Sequence, residues 1–184
     1  IVGTILSGAT LSLWFADAGL RVVAGGLLAL AAWLLRYDIA RRTIRKQGLA
    51  QFIAACLLPG YAWLMLAGGA WAIWGERFLA GPPYDAMLHM ILLGFVFSMI
   101  FGHSPIILPA VLRVAMPFLP IFYAHLLLLH LSLLLRVVGD LAPNQGVRAW
   151  GGLFNVLAVL LFLFNTLRAA RQGAASAALA PSPR

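Results

Sequence analysis

Long apolar runs fall at about residues 1–15, 20–36, 50–74, 85–112, 119–139 and 149–167, and the segments between them hold nearly all of the charge. A helix rising 1.5 Å per residue needs roughly 20 apolar residues to cross the hydrocarbon layer, so the pattern predicts an all-α, polytopic transmembrane helix bundle of about six spans. The first span is expected to be short. Connections are brief, which makes residues 1–171 a single bundle, and the small, polar stretch 172–184 (QGAASAALAPSPR) reads as a disordered cytoplasmic tail. The chain opens at Ile1 with no methionine and no basic segment before its first apolar run, as expected of a fragment or a trimmed chain rather than of an intact signal peptide.

Two local signals interrupt the runs. Ala80-Gly81-Pro82-Pro83-Tyr84-Asp85 predicts a turn, with Asp85 as N-cap of the next helix. The segment from Phe101 to Pro120 (FGHSPIILPAVLRVAMPFLP) carries four prolines in an apolar context. Each proline removes a backbone donor and crowds the preceding turn, so a kink or a short broken helix is expected there.

Composition sharpens the class. Hydrophobic residues make up 63% of the chain, charged residues 10%, and the mean hydropathy is +0.97, values that place most of the protein in lipid. The formal charge of +8 does not point to nucleic acid, because the basic residues sit between the apolar runs. Arg36, Arg41, Arg42, Arg45, Lys46, Arg113, Arg168, Arg171 and Arg184 fall on one side. Arg21, Arg77, Arg136 and Arg148 fall on the other, together with Asp17, Glu76, Asp85 and Asp140. By the positive-inside rule both termini face the cytoplasm. Trp14, Trp33, Tyr37, Trp71, Trp74, Tyr84 and Trp150 lie near run ends, where an amphipathic ring favours the headgroup region. The single cysteine, Cys56, rules out an intrachain disulfide framework and a thiolate cluster. Gly25-Gly26, Gly68-Gly69 and Gly151-Gly152 read as close-approach points between helices, since no phosphate-loop pattern accompanies them. No paired carboxylates, His-Glu-x-x-His run or Gly-x-Ser-x-Gly elbow marks a hydrolytic centre.

Candidate chemistry is concentrated in four histidines, His89, His103, His125 and His130, all on the fourth and fifth runs. Ionisable groups inside a span are costly, so they mark a candidate cofactor site. His89 and His103 stand fourteen positions apart, nearly one helical face and ~21 Å along the axis at ~100° and ~1.5 Å per residue. His125 and His130 are too close, ~7.5 Å apart in height, to match two stacked haems. If the two helices are antiparallel neighbours, His103 and His125 share one level and form the candidate metal pair, with copper or one haem as occupant. Hydrogen bonding across a helix interface is the competing role. Ser132 and Arg136 lie on the face of His125 and predict a polar seam; Arg136 would pair with Asp140, hold a haem propionate, or snorkel to water. Asn155 and Thr166 share a face of the last run, and Asn165 reads as a cap.

The stretch LHMILLGFVFSMIFGHSPIILPAVL from Leu88, with His89 followed by Gly94 and with Gly102-His103 closing the span, resembles the later spans of the NnrS-like family of bacterial membrane proteins. The Leu-Leu-Arg run ending at Arg136 adds to the resemblance, which covers roughly residues 85–167. It implies a helix bundle in the bacterial inner (cytoplasmic) membrane that binds haem or copper, with His89 and His103 as ligands, in electron transfer, metal handling or nitrosative-stress response. Two other classes stay open. One is a non-catalytic subunit packed against other membrane-protein subunits in a larger complex, and the other is a small transporter using the proline-rich segment as a broken helix. The lipid bilayer is the expected partner in all three.

The charge asymmetry generates a topological prediction. Cysteine placed at Asn144 is expected to react with an impermeant thiol reagent added outside intact cells, and cysteine at Gln47 is not. Labelling at position 47 alone would reverse the orientation.

Overall fold

The computed structural model describes residues 1–75 and 79–178, leaving Glu76, Arg77, Phe78 and the end of the expected tail, 179–184, outside the described residues. Among them the chain is all-α. In order, α1 is Val2–Leu11, α2 Ala16–Tyr37, α3 the single turn Ala40–Thr43, α4 Leu49–Trp74, α5 Gly81–Leu112, α6 Phe122–Leu141 and α7 Gln145–Ala178. Five of these, α2, α4, α5, α6 and α7, are long and apolar enough to cross a membrane. The chain is a membrane protein.

The expected six spans therefore become five. α1 has 10 residues, about 15 Å of helix at the standard rise, half of what a bilayer requires. It folds back on the first half of α2, where an added Cβ at Gly26 would meet Ile5 and one at Gly8 would meet Val23. The expected tail boundary also moves, because α7 runs on as helix to Ala178. Within that extension Gly173 is buried against the backbone of Ala115.

Proline acts differently in α5 than the composition suggested. The helix starts at Gly81, with Ala80 as N-cap and proline in its first turn, so Asp85 lies inside the helix and is not its cap. Further on, Pro105 and Pro109 are absorbed without a break, and helix continues to Leu112. Pro105 cannot donate to Phe101, and the Ser104 hydroxyl takes over that carbonyl at 3.1 Å. The chain leaves the helix at Arg113, in the left-handed region with φ 55°, and runs irregularly through 114–119 before α6. The departure from regularity in α5 lies earlier. Met90–Phe97 is π-helical, a wider turn that unwinds the helix and changes which face each later residue presents.

α5 and α6 are antiparallel neighbours. Met87 and Met90 pack with Leu133 and Val137 near one end, and Phe101 packs with Phe122 and Leu126 near the other. α4 crosses behind both, placing Trp63 and Ala67 in the first cluster and Phe52 and Cys56 in the second. The last helix packs chiefly against α6 and touches α5 lightly, which leaves grooves along the α5–α7 side. Gly94, in the π segment, is a close-packed point of α5 against α4 and α6. A Cβ there would lie 2.6 Å from Trp63 Cβ and 3.1 Å from a Leu133 methyl. Gly94→Ala is expected to cost about 1–3 kcal/mol, the usual range for overpacking a filled core, read as a lower unfolding temperature in detergent.

Candidate functional site

The side chains at the start of α5 and the end of α6 build an ionic cluster. Asp85 is half-buried on α5, and both Arg136 of α6 and Arg148 of α7 donate to its Oδ2, the latter at 2.7 Å. Arg136 Nε also reaches Asp140 Oδ2 at 3.2 Å, and Arg148 Nε lies 2.7 Å from Asp140 Oδ1. Asp140 has a side chain with 0% exposure, so these two guanidinium groups are what make its charge tolerable there. A third donor of Arg136 reaches the carbonyl of Arg148 at 3.3 Å. Of the roles expected for Arg136, pairing with Asp140 is the one present, and in place of snorkelling to water the guanidinium is also tied to Asp85 and the backbone of α7. Nearby, Arg21 pairs with Asp17 at 2.7 Å and donates to the Ala72 carbonyl at 2.9 Å, fastening α2 to the last turn of α4. Asp85, His89 and Asp140 bring one ligand atom each within 4.8 Å of one another. Two arginines already neutralise the two carboxylates, so the charge balance does not favour a cation there.

Below this cluster the seam expected on α6 is present and faces α7. Ser132 donates to Asn155 Oδ1 at 2.6 Å, and the amide nitrogen of Asn165 lies 3.2 Å from His125 Nδ1. Asn165 is thus a buried partner of a histidine rather than a cap. The amide N–H donates, so Nδ1 accepts and the ring proton of neutral His125 sits on Nε2. That nitrogen is buried with no hydrogen-bond partner among the described residues, inside a ring of Phe52, Phe101, Phe122 and Phe162 with centroids 6.0, 4.9, 5.6 and 5.4 Å away. His130 follows the same pattern. The Trp63 indole, which can only donate, reaches its Nδ1 at 3.1 Å, and Nε2 is buried and unpaired.

The other two histidines are of the opposite tautomer. His89 Nδ1 is 2.7 Å from the Asp85 carbonyl and His103 Nδ1 is 2.8 Å from the Met99 carbonyl. A carbonyl only accepts, so Nδ1 carries the proton and Nε2 of the neutral ring keeps its lone pair. This is how ligating histidines are usually held, with one nitrogen anchored and the other available. Both rings line grooves between α5 and α7. The His89 groove, about 300 Å³, is bordered by Leu93, Gly152, Asn155 and Val156; the His103 groove, about 480 Å³, by Met99, Ser104, Phe162 and Thr166. Phe162 borders the His103 groove and also packs on His125. Asn155 links seam and groove: its Oδ1 is used by Ser132, while Nδ2 is buried without a partner.

Residues 1–171 match the family model described as domain of unknown function (DUF8744). The chain belongs to that family. No curated protein and no solved structure matches it. The DUF8744 region contains the whole ionic cluster, the seam and both grooves. The bonds from Trp63 to His130 and from Arg136 and Arg148 to Asp85 carried no local signal in the sequence, because each joins residues more than fifty positions apart.

Removing the Asp140 carboxylate tests the cluster. Asp140→Ala leaves two guanidinium groups sharing Asp85, and the expected loss of stability is about 3 kcal/mol, the low end for breaking a buried pair because both arginines keep some contact with water. Thermal unfolding in detergent measures it, and an unchanged midpoint would remove the cluster from the stability of the bundle.

Proposed function

We propose that this chain is a haem- or copper-binding membrane protein in which His89 is the primary ligand. The observation that carries the reading is that an anchored imidazole with a free Nε2 and the unpaired amide of Asn155 border one groove. A buried donor without a partner costs about 1–3 kcal/mol, and an acceptor oxygen on a bound group would recover it. Imidazole nitrogen suits iron and copper alike. Bound there, either metal would supply one-electron chemistry. The chain's own contributions would be to orient His89 through the Asp85 carbonyl, to donate from Asn155, and to hold any carboxylates of the group near Arg136 and Arg148. His103, similarly anchored but in a more apolar groove, would be a second, separate ligand position.

This reading extends the resemblance to NnrS-like proteins, and with it a place in electron transfer, metal handling or nitrosative-stress response. The cytoplasmic membrane of a bacterium is the proposed location, with residues 38–48 and the end of α7 on the cytoplasmic side, where the unpaired basic residues collect. The broad apolar face of α7, including Leu153, Leu160, Leu163 and Leu167, supports the second reading, a subunit of a larger membrane complex.

Protein purified in mild detergent is expected to show a Soret band or stoichiometric copper. His89→Ala should abolish it, and Asn155→Leu, which removes an orienting donor without touching the ligand, should weaken binding about 10–100-fold. A His89→Ala variant that keeps full cofactor content would overturn the assignment, and fixed-stoichiometry co-purification without any cofactor would favour the subunit reading.

A further inference from the structure

Away from the histidines, the opposite end of the bundle carries a second arrangement with no role in the reading above. The loop after α2 and the turn α3 form a cavity of about 710 Å³ lined by Arg36, Arg41, Arg42 and Arg45 with Tyr37 and Asp38. Four guanidinium groups around one cavity with one carboxylate leave it strongly positive. That carboxylate is already engaged. Asp38 Oδ1 accepts from the Ala40 N–H at 2.7 Å, and Oδ2 accepts from the Tyr61 hydroxyl at 2.9 Å. Tyr61 is a buried residue of α4, so the loop is fixed to the bundle and the cavity is a built feature. Among the described residues no ion pair neutralises the four arginines.

The cavity does not end at the loop. An adjoining groove of about 740 Å³ runs between α2 and α4, and its walls are Ala32, Leu35, Ile44, Leu58 and Met65. Arg36 and Arg41 belong to both spaces. A ligand filling both would be anionic at one end and aliphatic at the other, joined where these two arginines stand. A positive-inside bias accounts for basic residues on this side, but it does not call for a tethered loop or for an apolar groove opening beneath the guanidinium groups. Basic pockets between helices at the cytoplasmic surface are suited to lipid phosphates, which guanidinium groups bind through paired donors.

We infer that the Arg36–Arg41 cavity and the groove below it form a binding site for one anionic phospholipid, with its phosphodiester among the arginines and an acyl chain along Ala32, Leu35 and Leu58. The site stands independently of any metal.

The test titrates the purified full chain in mild detergent with dioleoyl phosphatidylglycerol, with phosphatidylcholine of the same chains and with inorganic phosphate, counting bound lipid by native mass spectrometry. The wild-type chain is expected to prefer phosphatidylglycerol. Arg36→Gln with Arg41→Gln should weaken that binding roughly 30-fold, on the basis of a few-fold for each basic residue near the surface. Ala32→Trp, which fills the groove and leaves the charge alone, should weaken it as well. Arg168→Gln with Arg171→Gln, an equal charge change outside the cavity, should not. Equal binding of the two lipids, or an equal loss from the Arg168 and Arg171 pair, would overturn the inference as diffuse attraction. Displacement of phosphatidylglycerol by inorganic phosphate together with an unaffected Ala32→Trp variant would overturn it in favour of a free-phosphate site. If the double arginine variant does not fold, the lipid preference of the wild-type chain and the Ala32→Trp result decide alone.

Discussion

Two carboxylates shared between two guanidinium groups hold three helices at one level: Asp85 from α5, Arg136 and Asp140 from α6, and Arg148 from α7. In lipid there is no general hydrophobic drive to bring apolar helices together, so such contacts contribute more to choosing partners than to net stability. Sliding α6 by one turn along α5 or α7 would strand a charge beside hydrocarbon. The cluster therefore sets register, and the depth of His89, one turn below Asp85, follows from it. The carbonyl that anchors the His89 ring belongs to the same Asp85 whose side chain is held by both arginines.

From that level downward the α6–α7 interface is organised by the same constraint. Every polar side chain on the seam meets one from the other helix, Ser132 with Asn155 and His125 with Asn165. Among the described residues Asn155 Nδ2 is left without a partner, and the histidines divide into two kinds. His125 and His130 keep an N–H among aromatic and aliphatic neighbours. His89 and His103 keep a lone pair toward grooves. The division comes from the partner of Nδ1 in each case, a donor for the first two and a backbone carbonyl for the second two. Only the second kind is suited to bind a metal, although all four histidines are chemically identical in the sequence.

The two ends of the bundle differ in how charge is handled. At the Asp85 end each described acid is paired with an arginine, Asp17 within α2 and Asp85 and Asp140 in the network that joins α5, α6 and α7, and the charges cancel. At the Arg41 end the one acid, Asp38, is bonded to the Ala40 N–H and to Tyr61, and among the described residues the four arginines of the cavity have no ion pair. An asymmetry that reads as topology in the sequence is, in three dimensions, a closed ionic network at one end and an open basic cavity at the other.

The class of protein and the extent of its helices were legible because a bilayer imposes both: length and hydropathy alone mark the five long helices, and the aromatic residues at their ends agree. The seam on α6 was legible too, since its spacing is a property of one helix. The unbroken passage through Pro105 and the π segment at Met90–Phe97 were not, because each depends on what a neighbouring group supplies. Ser104 replaces a lost donor, and Gly94 makes room for Trp63. His103 borders a groove beside α7 while His125 is enclosed by phenylalanines, and Phe162 of α7 belongs to both surroundings. Periodicity reports the direction of a side chain relative to its own helix axis. Which nitrogen of a histidine is left free depends on atoms brought up by other helices or by the backbone one turn back, and only the folded chain decides that.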